Sequence, residues 1–445
     1  VGGAAITETP WGPNYKMTAL SYVVSLMPPT VLQELELERF GYKIYPQHPY
    51  FMPYPDGRHL FMHDDPARRH ASVSRFSPRD ADELIRWDDW LGKLGALLGP
   101  MLTRVPPKLG SKHPKELLAA LGLAWKFRGL DPQGVGDITR LMTMSVADLL
   151  EERFESDAIR GVLSVSAVIG SWAGPRSPGS AYVMAHHKMG DIGEGQMGSW
   201  GFPEGGMGGV TQAMRAAALS FGAQIRTEAE VTKILVEDGR VKGVVIGDEE
   251  LHADTVVTTT HPQITFLKLL ERAELPEDFV IAMERWKSRS GTVKVNVALD
   301  RLPAFKGISG MNVEAHGGTI VLAHSLDQVE TAFQEAVAGQ PARIPFVDAC
   351  IPSVFDRTLA PPGHHVMSMF TQWVPHGFAD APDGGVVLRC TPEHEAAVFE
   401  GQGKPLIRDM ADVATPAVVA YGARDLGPSP AAFAPHFTAA SHLPT

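Results

Sequence analysis

The sequence predicts a mixed α/β protein, and three observations within the stretch Trp200–Leu270 carry that prediction. A run of glycines leads into a helical pattern. A dipeptide typical of tight turns then joins two strand patterns, and a run of β-branched residues follows them. Glycine turns, helical periodicity and strand signals therefore alternate over a short length of chain, which is typical of sheets packed against helices.

The first element is a glycine-rich turn followed by a helix. Gly205 and Gly206 stand in a cluster that can turn tightly and let the backbone approach a ligand closely. From Val210 to Phe221 apolar residues recur at spacings of three or four, which predicts a helix with one buried face. Gly222 follows at the position where a left-handed cap is favoured.

The second element is an antiparallel meander. Asp238 and Gly239 form one of the strongest short hairpin signals, so residues 230–236 and 240–246 are predicted to pair. Residues 251–253 are predicted to return alongside them.

The third element is the nearly unbroken β-branched run over residues 254–260. Such a run is typical of a strand buried on both faces, as in a parallel sheet. Pro262 restricts His261 before it, so we expect the strand to end there. A further short strand is predicted around Ile225.

The amino-acid sequence of this stretch resembles the sequences of a known family. Phe202–Thr211 reads FPEGGMGGVT, Gly222–Val231 reads GAQIRTEAEV and Val241–Val245 reads VKGVV. These segments resemble the second part of the FAD-binding domain of phytoene-desaturase-like and amine-oxidase-like flavoproteins. The resemblance is closest to the branch of phytoene dehydrogenase-like proteins called pyridine nucleotide-disulphide oxidoreductase domain-containing proteins, and it extends from Val1 to about Asp380.

The resemblance implies a fold of two interleaved parts. One is a Rossmann-like FAD-binding domain with a β-meander, and the other is a substrate domain made of a mixed sheet with helices. The expected organisation is a remnant of the FAD-binding domain, a helical cap region, the second half of the FAD-binding domain, the substrate sheet and an atypical tail, at residues 1–20, 21–199, 200–270, 271–380 and 381–445. The tail has neither sequence similarity to the family nor an amphipathic pattern, so we interpret it as unrelated or frame-shifted sequence.

In the resembled family, a βαβ unit with a GxGxxG turn precedes the segment that begins at Val1. That unit holds the pyrophosphate on a helix N-terminus and the ribose on an acidic residue. The glycine pairs found elsewhere, at Gly193–Gly195 and Gly205–Gly209, do not follow a plausible buried strand. The expectation is therefore a fragment from which the N-terminal βαβ unit is missing.

The resemblance also implies non-covalent FAD as cofactor, and it assigns contact residues. The turn at the start of the chain would skirt the pyrophosphate and ribityl, and Val231 would touch the adenine through its backbone. The end of the β-branched run would lie beside the nucleotide, and the glycine turn would lie close to the cofactor. The predicted cofactor-binding residues are Gly2, Gly3, Ala4, Ala5, Gly205, Gly206, Val231, Thr259 and His261. No catalytic residue is assigned.

Composition excludes several other classes of protein. The chain has 40 Lys and Arg against 51 Asp and Glu, a net charge of −11, which argues against a nucleic-acid binder. Its two cysteines, Cys350 and Cys390, form no CxxC motif, so neither a disulfide framework nor a thiol redox pair is expected. No apolar run reaches the roughly 18 residues of a membrane span.

Other segments leave alternatives open. The helical segment Trp87–Gly129 suits plain core, a membrane surface or the mouth of an apolar tunnel. His59 and His63 suit a strand end better than a metal site, because no third ligand follows at helical spacing. Arg176 and the pair His186–His187 lie in a region that covers the flavin in the resembled family.

The leading functional hypothesis is an FAD-dependent oxidoreductase that takes hydride from a lipophilic small molecule, as a dehydrogenase or desaturase does. One alternative is a truncated, cofactor-free homologue that acts as a binding protein. Another is a flavoenzyme of the amine-oxidase type. The resemblance implies a cytoplasmic protein with peripheral contact to a membrane, or a mitochondrial one in a eukaryote; the oligomeric state and the electron acceptor are not assigned.

Overall fold

The structure is a computed structural model that describes residues 1–108, 110–192, 198–288, 290–375 and 417–420. The tail prediction for residues 381–445 therefore lies outside the described residues, apart from one short strand. Cys390 and the glycine pair Gly193–Gly195 lie outside them as well.

The first part of the chain forms short strands and one helix. A hairpin-like pair comes first, and the later strands join larger sheets. In chain order these elements are β1 (Thr7–Glu8), β2 (Met17–Thr18), α1 (Pro29–Glu34), β3 (Ile44–Pro46), β4 (His48–Pro53) and β5 (His59–Phe61).

A helical region follows, and side-chain caps begin several of its helices. Ser77 accepts a hydrogen bond from the Asp80 N–H, and Ser145 accepts one from the Asp148 N–H, which is the hydrogen bond that a capping box supplies. The helices are α2 (Pro66–Ser74), α3 (Pro78–Leu98), α4 (Pro114–Phe127), α5 (Pro132–Thr143), α6 (Val146–Arg153), α7 (Asp157–Val168) and α8 (Tyr182–Lys188).

The stretch at the centre of the sequence argument folds largely as predicted. Gly222 adopts a φ of 88° after the helix, and Asp238 and Gly239 adopt φ values of 50° and 69°, which suit the hairpin turn. The elements are β6 (Gly201–Pro203), α9 (Met207–Ser220), β7 (Val231–Glu237), β8 (Arg240–Ile246), β9 (Glu249–His252), α10 (Pro262–Leu267) and α11 (Glu277–Glu284).

The last described part supplies most of the largest sheet. Its elements are β10 (Thr292–Leu299), α12 (Val313–Gly317), β11 (Gly318–Leu322), α13 (Leu326–Val337), β12 (Phe346–Cys350), β13 (His365–Gln372) and β14 (Ala417–Ala420). Short 3₁₀ turns lie at Leu37–Phe40, Gly99–Met101, Arg272–Glu274 and Pro352–Val354.

The largest sheet of the described residues has seven strands in the order β14-β10-β13-β12-β11-β4-β5. Neighbouring strands are antiparallel except β11 and β4, which run parallel with Gly318 opposite His48. Strands β7, β8 and β9 form a separate antiparallel sheet. A mixed sheet with helices and a β-meander are thus both present, as the sequence predicts.

The seven-stranded sheet is covered on both faces. Its outer face, which carries Phe51 and Ile320, packs against the segment around Phe305 and α12. Its inner face carries Val321 and Phe346, which pack against α3, α6, α7 and α13 in the largest apolar cluster. Farther along the inner face the side chains become polar, and that part lies against the N-terminal segment of the chain.

Three local predictions are wrong. The sequence also indicates a helix from Pro29 to Phe40, but this helix is interrupted, because Glu36 adopts a left-handed φ of 50° and separates α1 from a 3₁₀ turn. No strand forms at Ile225. The β-branched run over 254–260 is also not a strand; Val257 is 84% exposed, and no strand of the described residues pairs with the run to give it a ladder.

Candidate functional site

The chain begins with a tight turn that leads into a small antiparallel pair of strands. Gly2 adopts a φ of 131° and Gly3 a φ of 54°, and the Ala5 N–H donates to the Gly2 carbonyl at 2.9 Å. Both conformations favour glycine. The turn lies on α9, because the Thr211 hydroxyl donates to the Ala5 carbonyl at 3.1 Å.

Two threonines join this pair of strands to the glycine-rich turn before α9. The Thr7 hydroxyl donates to the Gly205 carbonyl at 2.7 Å and accepts from the Gly208 N–H at 2.9 Å. The Thr18 hydroxyl accepts from the Met207 N–H at 3.1 Å. The first free N–H groups of the helix are therefore satisfied by protein side chains.

Gly205 and Gly206 differ in what surrounds them. A Cβ on Gly206 would stand 2.6 Å from the Thr7 hydroxyl and 2.9 Å from the Thr18 hydroxyl, so protein fills that space. Nothing lies within 4 Å of a Cβ placed on Gly205, and the same holds for Gly3. Gly3 and Gly205 therefore present bare backbone to open space.

The segment Thr18–Tyr22 connects the first turn with the polar part of the inner face. On one side, the Ser21 N–H donates to the Ala4 carbonyl at 3.1 Å. On the other side, Lys294 Nζ donates to the Leu20 carbonyl at 2.6 Å. One backbone segment thus lies between the predicted flavin turn and the buried Lys294.

Lys294 belongs to a buried polar cluster with Asp348 and Tyr22. The Tyr22 hydroxyl donates to Asp348 Oδ1 at 2.9 Å, and Lys294 Nζ lies 4.2 Å from the centre of the Tyr22 ring. Lys294 and Asp348 both face Phe370 across neighbouring strands, so they share one face of the sheet. Tyr22 stacks on Phe370 with ring centres 5.8 Å apart.

Burial shifts the titration of this cluster toward neutral forms. Desolvation lowers the pKa of Lys294 from 10.5 to about 7, against the opposing influence of Cys350 and Asp348. Desolvation raises the pKa of Asp348 from 3.8 to about 7, although the Tyr22 hydroxyl and Lys294 favour its carboxylate. An amine and a carboxyl that both change charge near neutral pH are typical of groups that handle protons.

Further polar groups surround the pair. Asn296 Nδ2 donates to the Thr18 carbonyl at 3.2 Å, and its Oδ1 accepts from Ser368 at 2.6 Å. The Cys350 thiol is buried, and desolvation raises its pKa well above the usual value, so it stays protonated. Tyr50 lies on the same face, and burial raises the pKa of its hydroxyl.

The remaining predicted contact residues lie around the meander. Val231 opens β7 opposite Ile246, and the Ile234 N–H donates to the Leu269 carbonyl at 2.7 Å, which ties the meander to the end of α10. His261 caps α10 by accepting from the Gln263 N–H at 3.2 Å. Thr259 lies exposed in the run just before it.

Hydrogen bonds bring six of the nine predicted residues together, because Gly2, Gly3, Ala4 and Ala5 lie with Gly205 and Gly206 around the start of α9. Val231 begins β7 of the meander, whereas Thr259 and His261 precede α10. Their contact with a cofactor stays a prediction.

Other sequence candidates have structural partners. Arg176 forms ion pairs with Glu151 at 2.7 Å and Asp327 at 3.3 Å near the surface. His187 is hydrogen-bonded to the Ser166 carbonyl at 2.6 Å, and burial lowers its pKa. In the part of the chain that the structure describes, no group of three or more His, Cys, Asp or Glu side chains is placed to hold a metal ion.

The residues present fit a flavin nucleotide. Gly3 and Gly205 have positive φ values and nothing at their Cβ positions, so a ligand can lie against their backbone. The exposed β-branched run leaves an extended backbone free of neighbouring strands near His261. Behind the turn, Lys294 supplies a buried group that changes charge near neutral pH.

Comparison with known proteins identifies the family. The sequence pattern that defines the flavin-containing amine oxidoreductase family matches residues 29–323 of this chain. This chain belongs to that family. FAD is accordingly its cofactor, and the FAD-dependent oxidoreductase class and the α/β flavoprotein fold predicted from the sequence are confirmed at the level of the family.

The relatives extend over most of the chain. It is 34% identical over 400 residues to pyridine nucleotide-disulfide oxidoreductase domain-containing protein 2 of Rattus norvegicus, covering 85% of this chain and 68% of the relative. It is 29% identical over 175 residues to prolycopene isomerase 2 of an Oncidium hybrid cultivar, covering 39% of this chain and 27% of the relative. An oxidoreductase from Methanosarcina mazei shares the fold, with a TM-score of 0.50 at 16% identity over 86% of this chain and 72% of that one.

The sequence argument missed the cluster around Lys294. A signal was present, because Thr292, Lys294 and Asn296 alternate with three valines along β10. That alternation predicts a strand with one face in water. In the structure both faces are covered, and Lys294 is 6% exposed. Whether a lysine in such an alternating strand is buried or solvated therefore cannot be predicted until the segment that packs on its polar face is known.

Proposed function

We propose that this chain oxidises a lipophilic small molecule at the inner face of the seven-stranded sheet, beside the Gly2–Ala5 turn. When bound, FAD supplies the acceptor for the hydride that the substrate loses. The protein then has to orient the substrate, exclude water and take up the proton released with the hydride.

One observation carries the proposal: the segment Thr18–Tyr22 bonds to both sides of the site. Ser21 contacts Ala4 of the predicted flavin turn, and Leu20 contacts Lys294 of the polar cluster. A cofactor that binds against the turn would therefore lie one backbone segment away from an ionisable amine.

Lys294 is the group we assign to the proton. Above pH 7 its amine is largely neutral, so it can accept a proton as the hydride leaves the substrate carbon. The Leu20 carbonyl fixes Nζ, and Asp348, held by the Tyr22 hydroxyl, lies on the same face to balance the charge that forms. These two neighbours are positioning groups.

The lipophilic character of the substrate has two supports. Tyr22 and Phe370 form a stacked aromatic pair beside the cluster. A relative is named for its action on prolycopene, which is a hydrocarbon. An extended apolar substrate would bury its surface here and leave the polar cluster to the reacting carbon.

The test measures anaerobic reduction of the FAD-loaded chain by a candidate substrate. The loss of flavin absorbance reports that reduction. We expect an apolar polyene to bleach the flavin faster than a primary alkylamine of matched length. The family name keeps amine oxidation as a second candidate, and faster bleaching by the amine would favour it. A chain that stays colourless after incubation with FAD would support the cofactor-free alternative instead.

A further inference from the structure

Helix α4 carries a row of apolar side chains that faces away from the protein. Leu118, Leu121 and Trp125 are 69%, 65% and 66% exposed, and Leu117 is 50% exposed. These positions are three and four residues apart, so they form one stripe along about two turns of helix. Isolated exposed leucines are ordinary, but a continuous stripe on one helix marks a surface that binds something.

The protein contacts the opposite side of the same helix. The half-buried positions of α4 are Glu116, Ala120, Leu123 and Phe127, again at spacings of three and four. None of the fourteen residues of α4 is fully buried. The helix therefore has a narrow face on the protein and a second apolar face directed outward, which simple core packing does not explain.

Basic side chains border the outward stripe. Lys115 and Lys126 are eleven positions apart, about three turns, so they lie along the same flank of the helix. Arg128 stacks on Trp125 with its guanidinium carbon 3.9 Å from the ring centre. The exposed cations of this region are Arg104, Lys108, Lys112, Lys115, Lys126 and Arg128.

The local charge opposes that of the whole chain. Residues 101–130 contain those six cations and a single acid, Glu116, which gives +5, whereas the whole chain carries −11. The Glu116 carboxylate also accepts a hydrogen bond from the Lys108 N–H at 2.7 Å. A positive apolar surface on an acidic protein is complementary to a surface that is both negative and apolar.

We propose that α4 docks the protein onto the surface of an anionic lipid bilayer. The stripe of Leu118, Leu121 and Trp125 would enter the boundary between headgroups and acyl chains, and the flanking lysines would meet lipid phosphates. Tryptophan and leucine on one face with lysine at its border is the composition of helices that lie in the membrane interface. In the described part of the chain, no helix combines the length and hydrophobicity needed to cross a bilayer.

This attachment goes beyond the proposed oxidation and does not depend on it. The link between them is chemical, because an enzyme that draws an apolar substrate from a bilayer gains from resting on it. The docking can be measured with no substrate present and in FAD-loaded or FAD-free protein. Failure of one proposal is therefore distinguishable from failure of the other.

The experiment is sedimentation of the full chain with vesicles of phosphatidylcholine mixed with phosphatidylglycerol, compared with phosphatidylcholine alone. We expect binding to the mixed vesicles that weakens as salt is added. The double variant K115Q/K126Q should bind about thirtyfold more weakly. The stripe variant L118D/L121D should bind about a hundredfold more weakly or not at all.

Ile85 provides a matched control, since it is an apolar residue on helix α3 that is 53% exposed. I85D should bind the mixed vesicles as the parent does. The proposal is overturned if the parent ignores anionic vesicles or if L118D/L121D binds as well as I85D. It is also overturned if the parent is a dimer without lipid and L118D/L121D alone becomes a monomer, because a second copy would then cover the stripe.

Discussion

The inner face of the seven-stranded sheet and the three-stranded meander are both β-structure, yet polar residues are buried in the first and exposed in the second. Six of the eight residues of β10 are buried, and they include Lys294 and Asn296. Along β7, β8 and β9 the buried positions are Ile234 and Gly243. Polar groups are thus enclosed in the large sheet and solvated in the small one.

The proposed function assigns the chemistry to the enclosed sheet and cofactor binding to the solvated meander. Enclosure moves the pKa of Lys294 and the pKa of Asp348 toward neutrality, which solvated groups do not experience to the same degree. The meander is instead held by its hairpin register and by surface ion pairs, and the run before His261 is exposed. Four experiments test this division, from the largest expected effect to the smallest.

The largest effect should come from Lys294→Met. Removal of the amine that takes the proton should lower kcat about a hundredfold or more, while FAD remains bound. Lys233→Met is the matched control, because Lys233 is an exposed lysine on β7 that pairs with Glu271 at 3.0 Å. Steady-state rates and flavin absorbance measure both effects, and equal rates for the two variants would remove Lys294 from the mechanism.

The second effect is on stability and has a defined pH dependence. Between pH 3.8 and about 7, the folded state keeps the Asp348 proton that the unfolded state releases, so stability falls as pH rises. Between about 7 and 10.5, the unfolded state binds the Lys294 proton that the folded state lacks, so stability rises again. The penalty for enclosing the pair is therefore greatest near pH 7.

The double variant K294M/D348N removes both titrations. We expect its free energy of unfolding to exceed that of the parent by about 1–4 kcal/mol near pH 7. The advantage should shrink toward pH 4 and toward pH 10. Urea unfolding at several pH values measures it, and an advantage that does not vary with pH would show that the pair is not buried in ionisable form.

The sequence predicted local elements better than long-range ones, and the reason is physical. Gly222 and Asp238-Gly239 define the ends of α9 and the hairpin, because each acts within a few residues. The parallel pairing of β11 with β4 joins positions about 270 residues apart, and no local pattern encodes it.

The two errors of burial have the same origin. The alternation around Lys294 predicts a half-buried strand, and the run 254–260 predicts a strand buried on both faces. In both cases composition describes the strand and not what covers it. The family resemblance correctly gave the cofactor, whereas the proton-handling cluster depended on how distant strands assemble.

A third effect should distinguish the flavin turn from other turns. Gly3 and Gly12 both have positive φ values, 54° and 91°, and both have open space at the Cβ position. Alanine at either position should cost about 1 kcal/mol of stability through backbone strain. Gly3→Ala should also weaken FAD binding about tenfold, since its methyl group would stand where the ligand lies. Titration of FAD measures this, and equal affinities for the two variants would place the cofactor elsewhere.

The smallest effect should come from the surface of the meander. Arg226 and Glu249 form an ion pair at 2.9 Å with both side chains half exposed, and the Arg226 guanidinium lowers the pKa of Glu249. Because water and salt screen such a pair, Arg226→Gln should leave the thermal midpoint almost unchanged. A large loss of stability would mean that the meander depends on surface charge more than its solvation implies.

Amide hydrogen exchange with and without FAD tests the central claim most directly. We expect FAD to slow exchange at residues 2–5 and around Val231, while exchange along α4 stays as it was. Protection confined to other parts of the chain, or none at any FAD concentration that turns the protein yellow, would contradict the placement of the flavin between the first turn and the meander.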